Sequence, residues 1–92
     1  MIEADIEKYL CTEVRRVRGE VRKVKWIGIQ GAPDRLVLLP GLGAIWVELK
    51  APGAKPRPNQ LREHAMLRKF GERVEIIDSL EGVDALIAEG KQ

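Results

Sequence analysis

The feature that most constrains the fold is a four-residue connection, Pro40-Gly41-Leu42-Gly43, between two short apolar segments. The segment before it, RLVLLP (35–40), and the segment after it, GAIWVELKA (43–51), have the length and residue types of strands. A short connection that contains glycine joins strands that run antiparallel. The sequence therefore predicts a β-hairpin in the middle of the chain.

Hydrophobic periodicity predicts the elements before this hairpin. An apolar residue recurs every three or four positions over residues 2–18, which is typical of an amphipathic helix, and Gly19 ends it. The residues of this stripe are Ile2, Ile6, Leu10, Val14 and Val17. The next segment, VRKVKWIGI (21–29), mixes alternation with β-branched residues and indicates a first strand.

Three further elements are predicted after the hairpin. The proline-rich segment APGAKPRP is too irregular for a strand or helix, and residues 59–70 then show mostly helical spacing with Gly71 as the stop. We expect the buried side of this helix to carry Leu61, Ala65, Leu67 and Phe70. RVEIIDS (73–79) reads as a strand, and residues 80–90 as a closing helix with an apolar face of Val83, Leu86 and Ile87.

The length limits what this order can build, because 92 residues bury only one modest core. We expect a single domain over residues 1–92 with an α/β (α+β) fold. No apolar stretch has the length of a membrane span, and the N-terminus has no basic and apolar regions typical of a secretory signal. The expected location is the cytoplasm, and the lone Cys11 suggests neither a disulfide nor a zinc site.

Basic residues gather in two stretches, although the net charge is only +2. The first stretch contains Arg15, Arg16, Arg18, Arg22, Lys23 and Lys25, and the second contains Lys50, Lys55, Arg57, Arg62, Arg68 and Lys69. Together they can form one surface that attracts a polyanion such as DNA. The alternative is an ordinary solvated surface, which is the commoner role of basic stretches.

Three acidic residues and one lysine are expected to meet. Residues two apart on a strand share a face, so Glu48 and Lys50 point the same way, and Asp34 opens the neighbouring strand of the hairpin. Glu3 lies within the apolar arc of the first helix and is expected on its core side, with Glu7 at the edge of the arc. Carboxylate oxygens suit Mg²⁺ or Mn²⁺, and a lysine beside such an ion can orient the attacking water.

Each of these residues also has a simpler interpretation. Asp34 follows a proline and can be a turn residue. Glu48 and Lys50 can form a charge ladder on an exposed strand. Glu3 can be an acid that the helix dipole favours. His64 is expected at the surface or in packing, and Trp26 and Trp46 as core residues, with Trp46 on the face of Glu48.

Pro33-Asp34 and Glu48-Leu49-Lys50 resemble the motif of the PD-(D/E)xK nuclease superfamily. Gly31 before this motif, the proline-rich loop and Gln60 at the start of a helix extend the resemblance to the virus-type replication-repair nuclease (VRR-NUC) domains over nearly the whole chain. The resemblance implies a restriction-endonuclease-like αβββαβ core, with a mixed central sheet flanked by helices.

The same resemblance implies a role for each matching residue. Asp34, Glu48 and the carbonyl of Leu49 would bind the metal, with Glu3 as an acidic helper. Lys50 would be the catalytic lysine and Gln60 its supporting residue. Whether Glu3 or Glu7 is the acid of the first helix stays open.

The expected function is a Mg²⁺- or Mn²⁺-dependent DNA endonuclease. For a stand-alone chain of this size the resemblance implies a homodimer that cuts branched DNA such as four-way (Holliday) junctions, whereas family members fused to larger chains act in DNA repair. Because little charge lies near them in the sequence, Leu39, Leu42 and Ile45 of the hairpin are suggested as the dimer contact. The alternative is a nucleic-acid-binding module that has the fold without the chemistry.

Overall fold

The computed structural model describes residues 1–90 and contains the predicted elements in the predicted order. They are α1 (Glu3–Arg16), β1 (Glu20–Lys23), β2 (Arg35–Leu39), β3 (Gly43–Leu49), α2 (Pro58–Lys69), β4 (Val74–Ile77) and α3 (Leu80–Glu89). The predicted α+β class is confirmed. The last two positions of the expected domain, 91 and 92, lie outside the described residues.

The four strands form one mixed sheet in the order β1-β2-β3-β4. β1 pairs with β2, and β2 with β3, in antiparallel register, which confirms the hairpin. Its turn is closed by a hydrogen bond of 3.0 Å from the Leu42 N–H to the Leu39 carbonyl. β3 and β4 are parallel, and α2 supplies the crossover that a parallel pair requires.

The apolar core lies between one face of the sheet and the helices α1 and α3. Alternate residues of β3 point into it, and α1 contributes one stripe at helical spacing. The buried residues of this core are Ile6, Leu10, Val14, Val37, Leu39, Ile45, Val47, Leu49, Ile77, Val83, Leu86 and Ile87. The apolar face predicted for α3 is confirmed. Trp46 and Glu48 point to the opposite face, where α2 lies against Glu48.

The first turn of α1 does not reach this core, so two expectations for it are wrong. Ile2 is 64% exposed and precedes the helix, where its N–H donates to Asp5 Oδ2 at 2.8 Å. Glu3 is exposed to solvent and does not point to the core. The buried stripe of the helix begins only at Ile6. Residues 1–5 are all exposed, so the first turn lies outside the core.

The first strand is shorter than predicted. β1 ends at Lys23, six residues before the predicted end, and residues 24–34 form a loop that returns to the sheet. A turn from Trp26 to Ile29 diverts the chain, with Gly28 at a φ of +80° that glycine adopts without strain. The Val24 N–H still donates to the Asp34 carbonyl at 2.9 Å.

The buried face of α2 also differs from the prediction. Leu61 and Phe70 are 50% and 74% exposed, and Ala65 is exposed as well. Of the expected residues only Leu67 is buried, and it shares the buried face with Gln60 and His64, at a spacing of four and three. Gly71 follows the helix with a φ of +90°, which confirms the predicted stop.

The hairpin residues suggested as a dimer contact serve the core of this chain. Leu39 and Ile45 are buried, and Leu42 is half-buried against the core. That suggestion is therefore wrong, because these side chains are already covered.

No helix in the described part of the chain is both long and apolar enough to cross a bilayer.

The contact between α1 and α3 includes a hydrogen bond of 2.6 Å from the Tyr9 hydroxyl to Asp84 Oδ1. This bond, with some burial, raises the pKa of Tyr9 to about 12. Because the neutral phenol is the donor, the bond is intact at neutral pH and is lost as the pH rises through that value.

Tyr9 is the chain's one tyrosine, so the ultraviolet absorbance of tyrosinate reports it alone. We expect the wild type to titrate near 12, and Asp84→Ala to return the pKa towards the ordinary value of 10.0. Glu81→Ala, which removes an exposed acid of the same helix, should leave the titration unchanged. A wild-type midpoint near 10.0 would contradict the hydrogen bond between Tyr9 and Asp84.

Candidate active site

A buried carboxylate lies at the centre of the candidate site. Glu48, near the end of β3, is only 8% exposed. Gln60 Nε2 donates to its Oε2 at 3.3 Å, and His64 Nε2 lies 3.2 Å from its Oε1. Gln60 and His64 are four residues apart on α2 and therefore share one face of that helix. Two side chains of one helix thus hold both oxygens of Glu48.

The orientation of Gln60 is fixed by the start of its own helix. The N–H of Arg57, the residue before α2, donates to Gln60 Oε1 at 2.8 Å. With its oxygen used in this way, the amide directs its NH₂ group, which only donates, at Glu48. Gln60 therefore both completes the helix N-terminus and positions the carboxylate.

The surroundings of Glu48 disfavour its negative charge. Burial raises the pKa of Glu48, and the nearby charge of Asp34 acts in the same direction. The His64 contact and the positive charge of Lys50 oppose this rise. Within residues 1–90, no Lys or Arg forms an ion pair with Glu48. The site therefore contains negative charge that a cation would stabilise.

Asp34 lies beside Glu48 through the register of the hairpin. Arg35 pairs with Val47, so the residue before Arg35 lies across from the residue after Val47. The Asp34 side chain is 53% exposed, and its Oδ1 lies 2.9 Å from Arg35 Nη1. Arg35 also forms an ion pair with Glu7 of α1. Arg35 thus connects α1 to Asp34.

Lys50 follows β3 directly and is half-buried. Strand alternation directs it to the face of Glu48, and its positive charge lowers the pKa of Glu48. Its N–H donates to the Ile77 carbonyl at 2.9 Å, which extends the pairing of β3 with β4. The Leu49 side chain lies between them in the sequence but packs into the core on the other face.

Glu3 is not brought to this group of residues. In the described structure it makes no hydrogen bond or ion pair with Asp34, Glu48 or Lys50, whereas Glu7 reaches Asp34 through Arg35. Across residues 1–90, no three His, Cys, Asp or Glu side chains gather in an arrangement that could hold a metal ion. Asp34 and Glu48 are therefore a pair of carboxylates without a third.

His64 is the residue of this site that sequence reasoning missed. It is fully buried, so the packing alternative is confirmed and the surface alternative is wrong, but its contact with Glu48 was not predicted. Its Nδ1 has no hydrogen-bond partner within the described residues. The available signal was its spacing, since His64 lies one turn after Gln60 and three residues before Leu67. It was missed because the buried face of the helix was predicted from its apolar residues alone.

The loop of residues 24–34 is fixed to the sheet by aromatic contacts. Trp26 Nε1 donates to the Pro33 carbonyl at 2.8 Å. The Trp26 ring lies on Trp46, with 5.1 Å between ring centroids and 51° between planes. The residue before Asp34 is thus held by the loop itself, and Trp46 lies on the face expected for it.

Gly31 brings the same loop against the start of α2. Its φ is +89°, and a Cβ at this position would lie 2.8 Å from the Asn59 carbonyl oxygen. Contacts this short do not occur, so any larger residue would displace the neighbour of Gln60. Gly31 therefore sets the distance between the Asp34 loop and α2.

A groove of about 430 Å³ leads away from Asp34. It is lined by Lys23, Val24, Lys25, Trp26, Ile29, Ala32 and Asp34. Lys23 pairs with Arg35 beside the site, whereas Glu20 pairs with Leu38 at the far end of β2. The first basic stretch is thus divided, because Arg15, Arg16 and Arg18 precede Glu20 at the end of the sheet away from Asp34.

Comparison with known proteins identifies the class. No protein-family model matches the chain. A protein of Acyrthosiphon pisum secondary endosymbiont phage 1, named "Putative nuclease p44", is 52% identical over 77 residues, which cover 84% of this chain and 83% of that protein. A solved structure described as a VRR_NUC domain matches with a TM-score of 0.84 and 41% identity over 94% of each chain.

A second structure, described as a VRR_NUC domain protein, has a TM-score of 0.79 and 16% identity, and covers 98% of this chain and 88% of that one. At this identity it supports the fold alone. Both structures share the fold of this chain. The chain belongs to the VRR-NUC family, as its sequence motifs predicted.

The position of Gly31 generates a prediction with a matched control. Gly31→Ala and Gly43→Ala both force a residue with a Cβ into a positive φ, but nothing lies within 4 Å of a Cβ at Gly43. Each should lose about 1 kcal/mol of unfolding free energy from backbone strain. Gly31→Ala should lose more and should also reduce nuclease activity, since Asn59 and Gln60 must shift.

Urea denaturation and a DNA cleavage assay measure the two effects. Equal losses of stability and equal activities in the two variants would show that the contact of Gly31 with α2 does not position the site.

Proposed function

We propose that this protein is a divalent-metal-dependent endonuclease that hydrolyses phosphodiester bonds in DNA. The observation that carries the proposal is the pair of Asp34 and the buried Glu48 beside Lys50, at one end of the sheet. Its family membership and its identity to a protein named as a nuclease support the same activity.

The residues fit a hard divalent cation. Glu48 is buried without a Lys or Arg ion pair in the described chain, and the neighbouring Asp34 adds a second negative charge. We propose that Asp34, Glu48 and the carbonyl of Leu49 bind Mg²⁺ or Mn²⁺, whose preferred ligands are oxygens. With few protein ligands, such a site leaves positions for water and for a phosphate of the substrate. Glu3 stays outside this set, because it is exposed and apart from these residues.

The bound ion would supply Lewis-acid activation of the scissile phosphate. The chain itself supplies positioning and charge. Gln60 and His64 hold the Glu48 carboxylate in one orientation, and Arg35 holds Asp34. Lys50, half-buried on the same face, orients the attacking water and offsets the negative charge that develops on the phosphate oxygens.

We further propose branched DNA, such as a four-way junction, as the substrate and a homodimer as the working unit. One active site cuts one strand, whereas resolving a four-way junction requires two symmetric incisions, which a twofold dimer provides. Sedimentation equilibrium of the protein, alone and with a junction, measures this state. A monomer that makes paired symmetric incisions would contradict the dimer.

Substitutions at the site test the chemistry. Asp34→Asn should abolish cleavage with Mg²⁺ or Mn²⁺, because it removes a charged ligand while preserving shape. Lys50→Met should lower turnover by about 100-fold, the scale of losing one charge-stabilising donor, yet retain Mn²⁺ binding. Gel assays of cleavage and calorimetry of Mn²⁺ binding measure the two effects.

Lys8→Ala, which removes an exposed lysine of α1, is the matched control and should cut at the wild-type rate. Wild-type cleavage by Asp34→Asn would refute the site. DNA binding by the wild type without cleavage in either Mg²⁺ or Mn²⁺ would instead identify a non-catalytic nucleic-acid-binding module.

Binding to DNA should depend steeply on salt, with the lysines of the groove as phosphate contacts. Replacing Lys23 and Lys25 together with Ala should reduce the slope of log affinity against log salt by about 1.8, at about 0.9 per phosphate contact. The matched control replaces Arg15 and Arg18, which are exposed at the other end of the sheet. Fluorescence anisotropy in Ca²⁺ measures both. An equal reduction in the two variants would show that the groove is not the DNA path.

A further inference from the structure

The loop before Asp34 presents two isoleucines to solvent. The Ile29 N–H donates to the Trp26 carbonyl at 3.4 Å and closes a four-residue turn. Gly28, at the third position, has the positive φ of a type II turn. Ile27 is 88% exposed and Ile29 is 48% exposed. Both apolar side chains therefore extend from one defined turn.

This turn is rigidly connected to the candidate active site. Its first residue, Trp26, donates to the Pro33 carbonyl and packs on Trp46 of β3. At the base of the loop, the Val24 N–H donates to the Asp34 carbonyl. The loop that carries the two isoleucines is thus anchored beside Asp34.

Single exposed apolar residues are common on protein surfaces and require no explanation. Here the turn adjoins a groove that contains Ile29, Lys23, Lys25 and Asp34 together. Nothing in the described chain lies within 4 Å of a Cβ placed at Gly28, so the tip of the turn is not covered by the protein's own residues. An apolar tip next to a groove that contains two lysines and a carboxylate matches the chemistry of a nucleic acid, which has both phosphates and apolar base faces.

We propose that Ile27 and Ile29 form a wedge that inserts between stacked bases of duplex DNA next to the phosphodiester bond to be cut. The inference rests on the proposed nuclease function and deepens it. Apolar side chains inserted at a base step unstack it and kink the duplex, and Lys23 and Lys25 of the adjoining groove would neutralise nearby phosphates.

The wedge also defines a class of substrate. Unstacking costs a few kcal/mol in regular duplex and less where bases are mismatched or already unpaired. An enzyme with this wedge cuts DNA most readily at branch points and distortions, where the step opens at low cost. Selection of structure, not of base sequence, follows from an apolar contact that has no hydrogen-bonding groups.

The test compares the double variant Ile27→Ser/Ile29→Ser with Phe70→Ser, which removes an exposed apolar residue that follows α2. Each is measured with 2-aminopurine placed at the branch of a fully paired junction, in Ca²⁺ so that binding is observed without cleavage. The wild type and Phe70→Ser should raise the fluorescence, because the base unstacks, and the double variant should not.

Cleavage with Mg²⁺ provides the second readout. The double variant should cut the fully paired junction about tenfold more slowly, because the inserted side chains no longer offset the cost of unstacking, and a mismatched step at the cut site should restore most of the rate. The wedge would be overturned if the double variant raised the fluorescence and cut the junction as much as the wild type does. It would also be overturned if the double variant had a lower sedimentation mass but raised the fluorescence as the wild type does. The turn would then be a contact between copies of the chain.

The two proposals fail in different ways. If the wild type cuts DNA without raising the fluorescence, the wedge is wrong and the nuclease stands. If the wild type raises the fluorescence but cuts no substrate with Mg²⁺ or Mn²⁺, the wedge stands as a binding device and the proposed catalytic function is wrong.

Discussion

The hydrogen bonds from Gln60 and His64 to the buried Glu48 carboxylate are the interaction on which the rest of the site depends. They join α2 to β3 through polar contacts where most helices use apolar ones. A buried carboxylate is costly unless it is paired or hydrogen-bonded, so these two residues must occupy the inner face of α2. The exposure of Leu61 and Phe70 follows from this, because the helix turns its polar face inward.

Asp34 is held by a second set of contacts. The hairpin register sets it across from Glu48, Arg35 links it to Glu7 of α1, and the Trp26 loop fixes the residue before it. Residues from α1, β2, β3 and α2 thus meet at one end of the sheet. The core on the other face, packed by α1 and α3, provides the rigid base for this end. The two carboxylates can therefore repel each other at a cost to stability and still keep their positions.

The sequence predicted what local rules control. The hairpin followed from its short glycine-containing turn, and once it was placed, alternation alone brought Asp34, Glu48 and Lys50 to one face. The predictions failed where distant contacts prevail over local pattern. Trp26 leaves the strand because it packs on Trp46, and His64 is buried because it binds Glu48, although apolar periodicity pointed to Leu61 and Phe70. Glu3 fits the stripe on a helical wheel, yet the helix extends past the core at that turn.

The central claim is that Glu48 is a charged group held in place at a cost to stability, in readiness for a cation. Thermal unfolding of wild type and Glu48→Gln, in EDTA and in Mn²⁺, tests it most directly, since glutamine preserves the shape and can bond to both Gln60 and His64. In EDTA the variant should have a higher melting temperature, by about 4–8 °C for each kcal/mol of unfolding free energy gained when the buried charge is removed. Mn²⁺ should stabilise the wild type and leave the variant unchanged. A variant that melts lower than the wild type in EDTA and gains equally from Mn²⁺ would contradict the account.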